Sequence, residues 1–203
     1  MTHEVRVATS EDAPAILGML ERAFIEDPFV RWVVRRDAKT GTARRRYFEL
    51  LLHRLAMPHG VVWTTVDRRG AALWLPPGRW ELSVGEQLQL LPDVLRIIGM
   101  RRYRMITRTL AALERRRPAP PWYFLALLGT EPEAQGLGIA SALLTPVLDR
   151  CDREGVPALL DTSVEANVAW YGRRGFRVVG ELQLGDGPTC WTMLRPAADA
   201  LPP

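Results

Sequence analysis

Residues 135–140 read Gln-Gly-Leu-Gly-Ile-Ala and lie between an apolar run at 122–128 and a segment of helical pattern that extends to residue 154. A helix that begins at such a turn presents unpaired backbone N–H groups and the positive end of its dipole, and both suit a pyrophosphate. Gly136 and Gly138 have no Cβ atom that would hold phosphate oxygens away from those N–H groups. The pattern predicts a phosphate-binding turn, although a tight turn without a ligand would have the same residues.

The spacing Gly136-x-Gly138-x-x-Ser141 also approaches the dinucleotide-binding pattern. A dinucleotide fold places that motif in its first strand-to-helix turn and follows it with repeated βαβ units. In this chain the turn comes late, and only one helical crossover is predicted, between strands near residues 125 and 160. A dinucleotide site is therefore disfavoured.

The apolar periodicity of the rest of the chain predicts an α+β fold. Its central sheet is expected to be mixed and mostly antiparallel, flanked by helices, with a helical insertion at about 82–117 between the third and fourth strands. Pro28 is expected to end the first helix, and Pro92 to kink or divide the helix around it. The predicted strands cover 5–8, 61–66, 71–75, 122–128, 158–161, 176–183 and 189–195. The first predicted helix has its N-cap and first-turn acids at 9–12 and its apolar positions at 16–24. The later predicted helices cover 42–57, 83–100, 102–116, 135–154 and 167–174.

The composition, with 47% hydrophobic and 25% charged residues, indicates one globular domain over residues 1–203. No apolar run reaches the length of a membrane span, so we expect a cytoplasmic protein without a membrane partner. Cys151 and Cys190 lack metal-ligand spacing, and no metal is expected. The net charge of +4 comes without a nucleic-acid-binding motif, and the basic run at 101–117 is interpreted as the solvated side of a helix.

Two further motifs follow the glycine turn in the sequence. They are Asp161-Thr-Ser-x-x-x-Asn167 and Trp170-Tyr171-x-x-x-Gly175-Phe176. Together with the apolar strand and the turn, these motifs resemble the Gcn5-related N-acetyltransferase (GNAT) family over residues 122–195. The opening at 5–14 and the tail at 187–193 are similar to the puromycin N-acetyltransferase-like members of that family. The similarity is weaker at 29–60 and 76–117, which are the segments expected to shape the acceptor pocket.

The resemblance implies the GNAT acyl-CoA N-acyltransferase fold, with acetyl-CoA as donor and direct attack of an amine on its thioester. The acetyl-CoA-binding core would span about residues 122–195. Leu128, Gly129 and Thr130 would pair with the pantetheine arm, with Gly129 marking a bulge. The other donor-binding residues that the resemblance implies are Gln135, Gly136, Leu137, Gly138, Ile139, Ala140, Ser141 and Asn167. Asn167 could equally be the N-cap of the helix that it is predicted to begin.

The same resemblance makes Tyr171 the candidate general acid, because a phenol at this position of the family lies near the sulfur of CoA. The alternative interpretation is a buried aromatic residue that packs beside Trp170. A tyrosine at this position would donate its proton to the departing thiolate.

The general base stays open at this stage. The strand at 122–128, where some relatives carry a glutamate, contains no carboxylate. The base is therefore a water molecule or one of Asp27, Glu49 and His53. Each of these side chains is more often a cap or a solvated helix residue than a base.

Aromatic residues are frequent in the segments expected to enclose the acceptor, and they favour an apolar or aromatic primary amine over a polycationic aminoglycoside. They are Phe24, Phe29, Trp32, Tyr47, Trp74, Trp80 and Tyr103. The candidate acceptor-binding residues are Phe24, Asp27, Phe29, Trp32, Glu49, His53 and Trp74. The leading hypothesis is an N-acetyltransferase for a small amine, such as an antibiotic. A protein or peptide amine acetyltransferase and a non-catalytic acyl-CoA-binding module are the alternatives, and the chain is expected to be a monomer or a homodimer.

Overall fold

A seven-stranded mixed sheet forms the centre of the fold. The computed structural model describes residues 3–59, 61–79 and 83–198. The strands are β1 Val5–Val7, β2 Val62–Thr65, β3 Gly70–Leu75, β4 Tyr123–Thr130, β5 Ala158–Thr162, β6 Arg177–Gln183 and β7 Thr189–Arg195. They lie in the order β1-β2-β3-β4-β5-β7-β6, and only β4 and β5 pair in parallel. The predicted mixed and mostly antiparallel sheet is confirmed.

Seven α-helices flank the sheet in the described part of the chain. They are α1 Ala13–Ala23, α2 Pro28–Val33, α3 Thr40–Glu49, α4 Val84–Ile98, α5 Met100–Glu114, α6 Ile139–Glu154 and α7 Glu165–Gly172. The helices α4 and α5 lie between β3 and β4, as predicted, and α6 connects the two parallel strands. Pro92 lies inside α4 without dividing it. The division comes at Gly99, which has a φ of 82° and separates α4 from α5.

Two apolar layers cover the two faces of the sheet, because successive strand residues point to opposite faces. On one face, Leu143 of α6 shares a buried cluster with Trp74 and Leu125. On the other face, Leu20 of α1 shares a second cluster with Leu127, together with residues of α2, α3 and α5. The sheet therefore separates the α6 side from the side that carries the N-terminal helices.

Proline at position 28 has a different effect from the one predicted. The first helix ends at Ala23, and Pro28 then occupies the first position of α2, where the missing N–H group costs nothing. Asp27 caps α2, since its carboxylate accepts the N–H of Val30 at 2.8 Å. The segment that follows α3 also departs from a plain α-helix, because Leu50–Ala56 forms a π-helix.

The basic run at 101–117 is not wholly solvated, contrary to the sequence interpretation. Arg117 has a side chain only 6% exposed and forms an ion pair with Asp161 at 2.5 Å. Arg102 donates a hydrogen bond to the carbonyl oxygen of Trp32 at 2.6 Å. The Arg102 contact connects α5 to α2, and the Arg117 contact connects the residues after α5 to β5.

The strand β4 contains a β-bulge in its middle. Leu73 pairs with Leu127 and Trp74 pairs with Leu125, so Ala126 is the additional residue on β4. A bulge bends the strand and resets the alternation of its side chains. As a result Leu125 and Leu127 point to opposite faces of the sheet.

The bulge was predicted at Gly129, and that prediction is wrong. Gly129 pairs regularly with Ala71. Glycine is instead needed at position 129 because the side chains of Leu20 and Phe24 come close to the backbone. A Cβ atom at this position would lie 2.9 Å from Leu20 Cδ2 and 3.0 Å from Phe24 Cε2. The backbone of β4 therefore comes close to α1 near the end of the strand.

Pairing between the two parallel strands covers only their first residues. The register joins Tyr123–Leu125 to Ala158–Leu160. Beyond the bulge, residues 127–130 remain paired with β3 on one side, while the described structure gives residues 126–130 no strand partner on the other. The backbone polar groups on that edge are free to bind an extended ligand.

Asp12 holds together the start of the chain and the turn between β2 and β3. Its side chain is 1% exposed and accepts charge-assisted bonds from Arg6 at 2.6 and 2.8 Å and from Arg68 at 2.7 Å. The carboxylate also accepts the N–H of Thr9 at 2.9 Å. These bonds, with the Arg6 contact the largest cause, hold the pKa of Asp12 far below its usual range.

We expect Asp12→Asn to lower the free energy of unfolding by about 1.5–3 kcal/mol at pH 7, because hydrogen bonds to charged groups contribute about that much. The lowered pKa in the folded state stabilises the protein above the pKa of the unfolded chain, about 3.9. The difference between wild type and variant should therefore shrink as the pH falls below about 4. Urea unfolding across pH 3–8 measures it, with Glu11→Gln at an exposed neighbouring position as control. A difference that stays constant with pH would contradict the ionic role of Asp12.

Candidate active site

Two cavities meet at the free edge of β4. The large cleft, of about 680 Å³, lies beside the glycine turn at the start of α6. The inner cavity, of about 270 Å³, lies on the side of the N-terminal helices and α5. Five residues line both cavities, and they are Phe24, Asp27, Leu128, Asn167 and Tyr171. The meeting point thus contains an acid, an amide and a phenol.

The turn before α6 contains two glycines in left-handed conformations. Gly136 has a φ of 79° and Gly138 a φ of 89°, which are left-handed conformations that favour glycine. The first helical bond of α6 runs from Ala142 N to Gly138 O at 3.1 Å, so the N–H groups of residues 139–141 have no partner within the helix. No described side chain caps this end. The turn therefore offers free donors toward the cleft.

Most of the predicted donor-binding residues line the large cleft. They are Leu128, Gly129, Thr130, Gln135, Gly136, Gly138, Ile139, Ala140, Ser141 and Asn167. Leu137 does not line it. Its side chain is 54% exposed, and its carbonyl oxygen accepts a hydrogen bond from His3 Nε2 at 2.8 Å.

Asn167 lies inside α7 and does not cap it. The helix begins at Glu165, and its N-cap residue is Val164. The capping interpretation of Asn167 is therefore wrong, because the helix starts two residues earlier than predicted. Asn167 instead lines both cavities from the body of the helix.

Tyr171 is both a core residue and a lining residue. It is 8% exposed, and its ring packs edge-on against Trp170 at 5.0 Å and Phe176 at 5.5 Å between centroids. Burial raises the pKa of the Tyr171 phenol above its usual range. The hydroxyl group therefore stays protonated at neutral pH and is available as a proton donor.

Of the three sequence candidates for the base, Asp27 is the one that lines the cavities. Burial raises the pKa of its carboxyl group, while the N–H groups of Val30 and Phe29 lower it less. Glu49 instead pairs with Arg45 at 2.9 Å, and His53 is exposed on the π-helix. The structure therefore brings only Asp27 to the meeting point with Tyr171.

Two aromatic candidates for acceptor binding lie away from both cavities. Trp74 belongs to the cluster on the α6 face of the sheet and is fully buried there. Trp32 is buried on the other face, and its Nε1–H donates to Asp186 Oδ1 at 2.9 Å, which fixes the β6–β7 turn. Phe24 and Phe29 do line the inner cavity. Trp80 lies outside the described residues.

The inner cavity is mostly apolar, and sequence reasoning missed much of its lining. The missed apolar residues include Val30, Val33, Leu51, Leu110, Leu113 and Phe124. Leu110 and Leu113 come from the helical insertion, where no motif was recognised. A polar group interrupts the apolar wall, since Arg117 pairs with Asp161 and lies over the ring of Phe124 at 4.3 Å. Asp161 belongs to a recognised motif, and that motif was the available signal.

The part of the chain that the structure describes lacks two kinds of feature. No helix there is long and apolar enough to cross a membrane. No group of three or more histidine, cysteine, aspartate or glutamate side chains there is arranged to hold a metal ion.

About half of the chain matches a protein-family model. Residues 76–176 match the model described as the acetyltransferase (GNAT) family. An uncharacterized N-acetyltransferase of Schizosaccharomyces pombe is 25% identical, over 82% of this chain and 71% of the relative.

Several solved structures are similar to this chain over almost its whole length. A Corynebacterium glutamicum protein described as histone acetyltransferase HPA2 and related acetyltransferase has a TM-score of 0.76 and 25% identity, covering 100% of this chain and 99% of that one. The polyamine N-acetyltransferase of Drosophila melanogaster has a TM-score of 0.63 and 17% identity, covering 95% and 99%. These likenesses confirm the acyltransferase fold expected from the motifs.

We expect Gly138→Ala to lower the free energy of unfolding by about 1–2 kcal/mol, because a left-handed conformation is costly for a residue with a Cβ atom. The new Cβ would meet no atom within 4 Å, so backbone strain alone is tested. Gly85→Ala, in the first turn of α4 and equally free of contacts, is the matched control and should be neutral or slightly stabilising. Urea unfolding of both variants decides the matter. Equal effects would mean that Gly138 is not held in the left-handed region.

Proposed function

Because this chain belongs to the GNAT acetyltransferase family and is an acetyl-CoA-dependent N-acetyltransferase, we propose that it acts in the cytoplasm on the primary amine of a small apolar or aromatic molecule. The observation that carries the proposal is the meeting of two cavities at Asp27 and Tyr171. The large cleft would hold acetyl-CoA, and the inner cavity would hold the acceptor.

The donor would bind along the free edge of β4 and the start of α6. The backbone of Leu128, Gly129 and Thr130 would pair with the pantetheine arm. The N–H groups that follow Gly138 would bind the pyrophosphate, and the amide of Asn167 would contact the arm. On this proposal the whole chain works as a single catalytic domain.

The reaction would need two proton transfers at the meeting point. Asp27 accepts a proton from the amine, directly or through a water molecule, and the amine nitrogen forms a bond to the acetyl carbon. The bond between that carbon and sulfur then breaks, and the leaving thiolate takes the proton of Tyr171. The raised pKa values of both groups suit these roles, since a stronger base and a protonated phenol are needed.

The inner cavity limits the size and chemistry of the acceptor. Its volume of about 270 Å³ lies near the lower end for ligand pockets, about 300–1,000 Å³. Its aromatic and aliphatic walls favour an arylalkylamine or the aminoacyl part of a puromycin-like nucleoside. An antibiotic of that kind would lose its free amine, which would make the reaction a resistance mechanism. Cover from α2, α3 and α5 disfavours a protein tail.

Thiol release from acetyl-CoA across a panel of amines tests the proposal. The panel contains arylalkylamines, puromycin, agmatine, polyamines, an aminoglycoside and a histone-tail peptide. We expect thiol release with arylalkylamines or puromycin, and a mass spectrum that shows the N-acetylated amine. Acetylation of the peptide alone would establish a protein acetyltransferase instead. Binding of acetyl-CoA without turnover of any amine would establish a binding module.

We expect Tyr171→Phe to lower kcat by about 10²–10⁴-fold, the usual contribution of a general acid, with KM for acetyl-CoA nearly unchanged. Tyr123→Phe is the matched control, because Tyr123 is a buried tyrosine on the α6 face whose hydroxyl group donates to Glu154 at 2.7 Å. Steady-state kinetics with both substrates varied gives the two constants. Retention of full kcat in Tyr171→Phe would show that Tyr171 only packs.

We expect Asp27→Asn to lower kcat/KM by about 10²–10⁴-fold and to remove an acidic limb from its pH profile. The base must be ionised, so the wild-type rate should fall as the pH drops below the raised pKa of Asp27. Asparagine keeps the cap on α2, so folding should be preserved. Kinetics at pH 4.5–9 with an amine that turns over gives both profiles. An unchanged acidic limb in the variant would assign the base to another group.

A further inference from the structure

Arg174 lies on the wall of the large cleft, just beyond the end of α7. Its guanidinium carbon lies 3.4 Å from the centroid of the Trp170 ring, and Nη1 donates to the carbonyl oxygen of Trp170 at 2.8 Å. On its other side Nη2 donates to Ser141 Oγ, in the first turn of α6. The side chain therefore spans the cleft wall between α7 and the phosphate-binding turn.

The charge of Arg174 has no acidic counterpart in the described structure. Its two described partners, a carbonyl oxygen and a hydroxyl oxygen, are neutral, and no ion pair with a carboxylate is formed within residues 3–59, 61–79 and 83–198. Burial lowers the pKa of Arg174, with Arg173 a further cause. A half-buried cation without an anion is costly. The N-terminus of α6 lies nearby and adds positive potential, so this wall of the large cleft favours the binding of an anion.

We propose that Arg174 is a binding residue for the pyrophosphate of acetyl-CoA, held in place between Trp170 and Ser141. This inference rests on the proposed placement of acetyl-CoA in the large cleft. The planar guanidinium group matches two phosphate oxygens at once, which lysine does not. Contact with Ser141 places it beside the free N–H groups that follow Gly138.

The position of Arg174 also bears on the catalytic tyrosine. The same Trp170 ring that Arg174 covers packs edge-on against Tyr171. Phosphate binding at Arg174 thus fixes the aromatic neighbour of the proposed acid. Arg174 acts on binding directly and on Tyr171 only as a positioning residue.

Calorimetric titration of the purified protein with CoA, 3′-dephospho-CoA and pantetheine tests the inference. The last ligand lacks every phosphate. We expect Arg174→Gln to weaken both nucleotide ligands by about 10–100-fold, as loss of hydrogen bonds to a charged group predicts. Pantetheine affinity should stay within about 2-fold. Arg174→Lys should fall between wild type and Arg174→Gln.

Arg173→Gln is the matched control, because it removes the same charge from the neighbouring residue. Arg173 is exposed and does not line the cleft. It should leave all three affinities within about 2-fold, and urea unfolding should show both variants folded. An equal loss for pantetheine would overturn the inference, since Arg174 would then only support Trp170. A loss for CoA but not for 3′-dephospho-CoA would overturn the pyrophosphate assignment in favour of the 3′-phosphate.

This test is separate from the test of the proposed function. An Arg174-dependent affinity for CoA in a protein that acetylates no amine would support the inference and contradict the proposed function. Acetyl transfer by the wild type, with a CoA affinity that Arg174→Gln leaves unchanged, would support the proposed function and contradict the inference about Arg174.

Discussion

The parallel strands β4 and β5 pair only as far as Leu125 and Leu160, and the whole site depends on where that pairing stops. Backbone N–H and C=O groups within a fold are almost always bonded, so an unpaired strand edge beside a cleft needs a partner. The bulge at Ala126 comes at this point and bends β4. The large cleft and the inner cavity then meet at the opened edge.

Burial raises the pKa of both titratable groups at this meeting point, and the two shifts suit different proposed roles. Asp27 has a raised pKa because its carboxylate loses water, which makes it a better base than an exposed aspartate. Tyr171 has a raised pKa for the same reason, which keeps its proton on the phenol. One physical cause, the removal of water, therefore raises both pKa values, in keeping with the base and acid roles proposed for Asp27 and Tyr171.

The sequence predicted the parts of the fold that depend on local pattern. The seven apolar runs predicted as strands and the single helical crossover between the two parallel strands follow from short segments. Tertiary packing decided what the sequence did not reveal. Trp74 is aromatic and close to β4, but the alternation of β3 places it on the far face from the inner cavity. The start of α7 at Glu165, two residues early, removed the capping role of Asn167.

A structure of the protein with CoA bound would test the central claim most directly, because the claim concerns the meeting point of the two cavities. The account predicts the CoA sulfur within about 3.5 Å of the Tyr171 hydroxyl oxygen, a hydrogen-bonding distance for sulfur. It also predicts that the pantetheine amides pair with the free edge of residues 126–130. A thiol that points away from Tyr171, or a pantetheine arm that does not contact β4, would contradict the account.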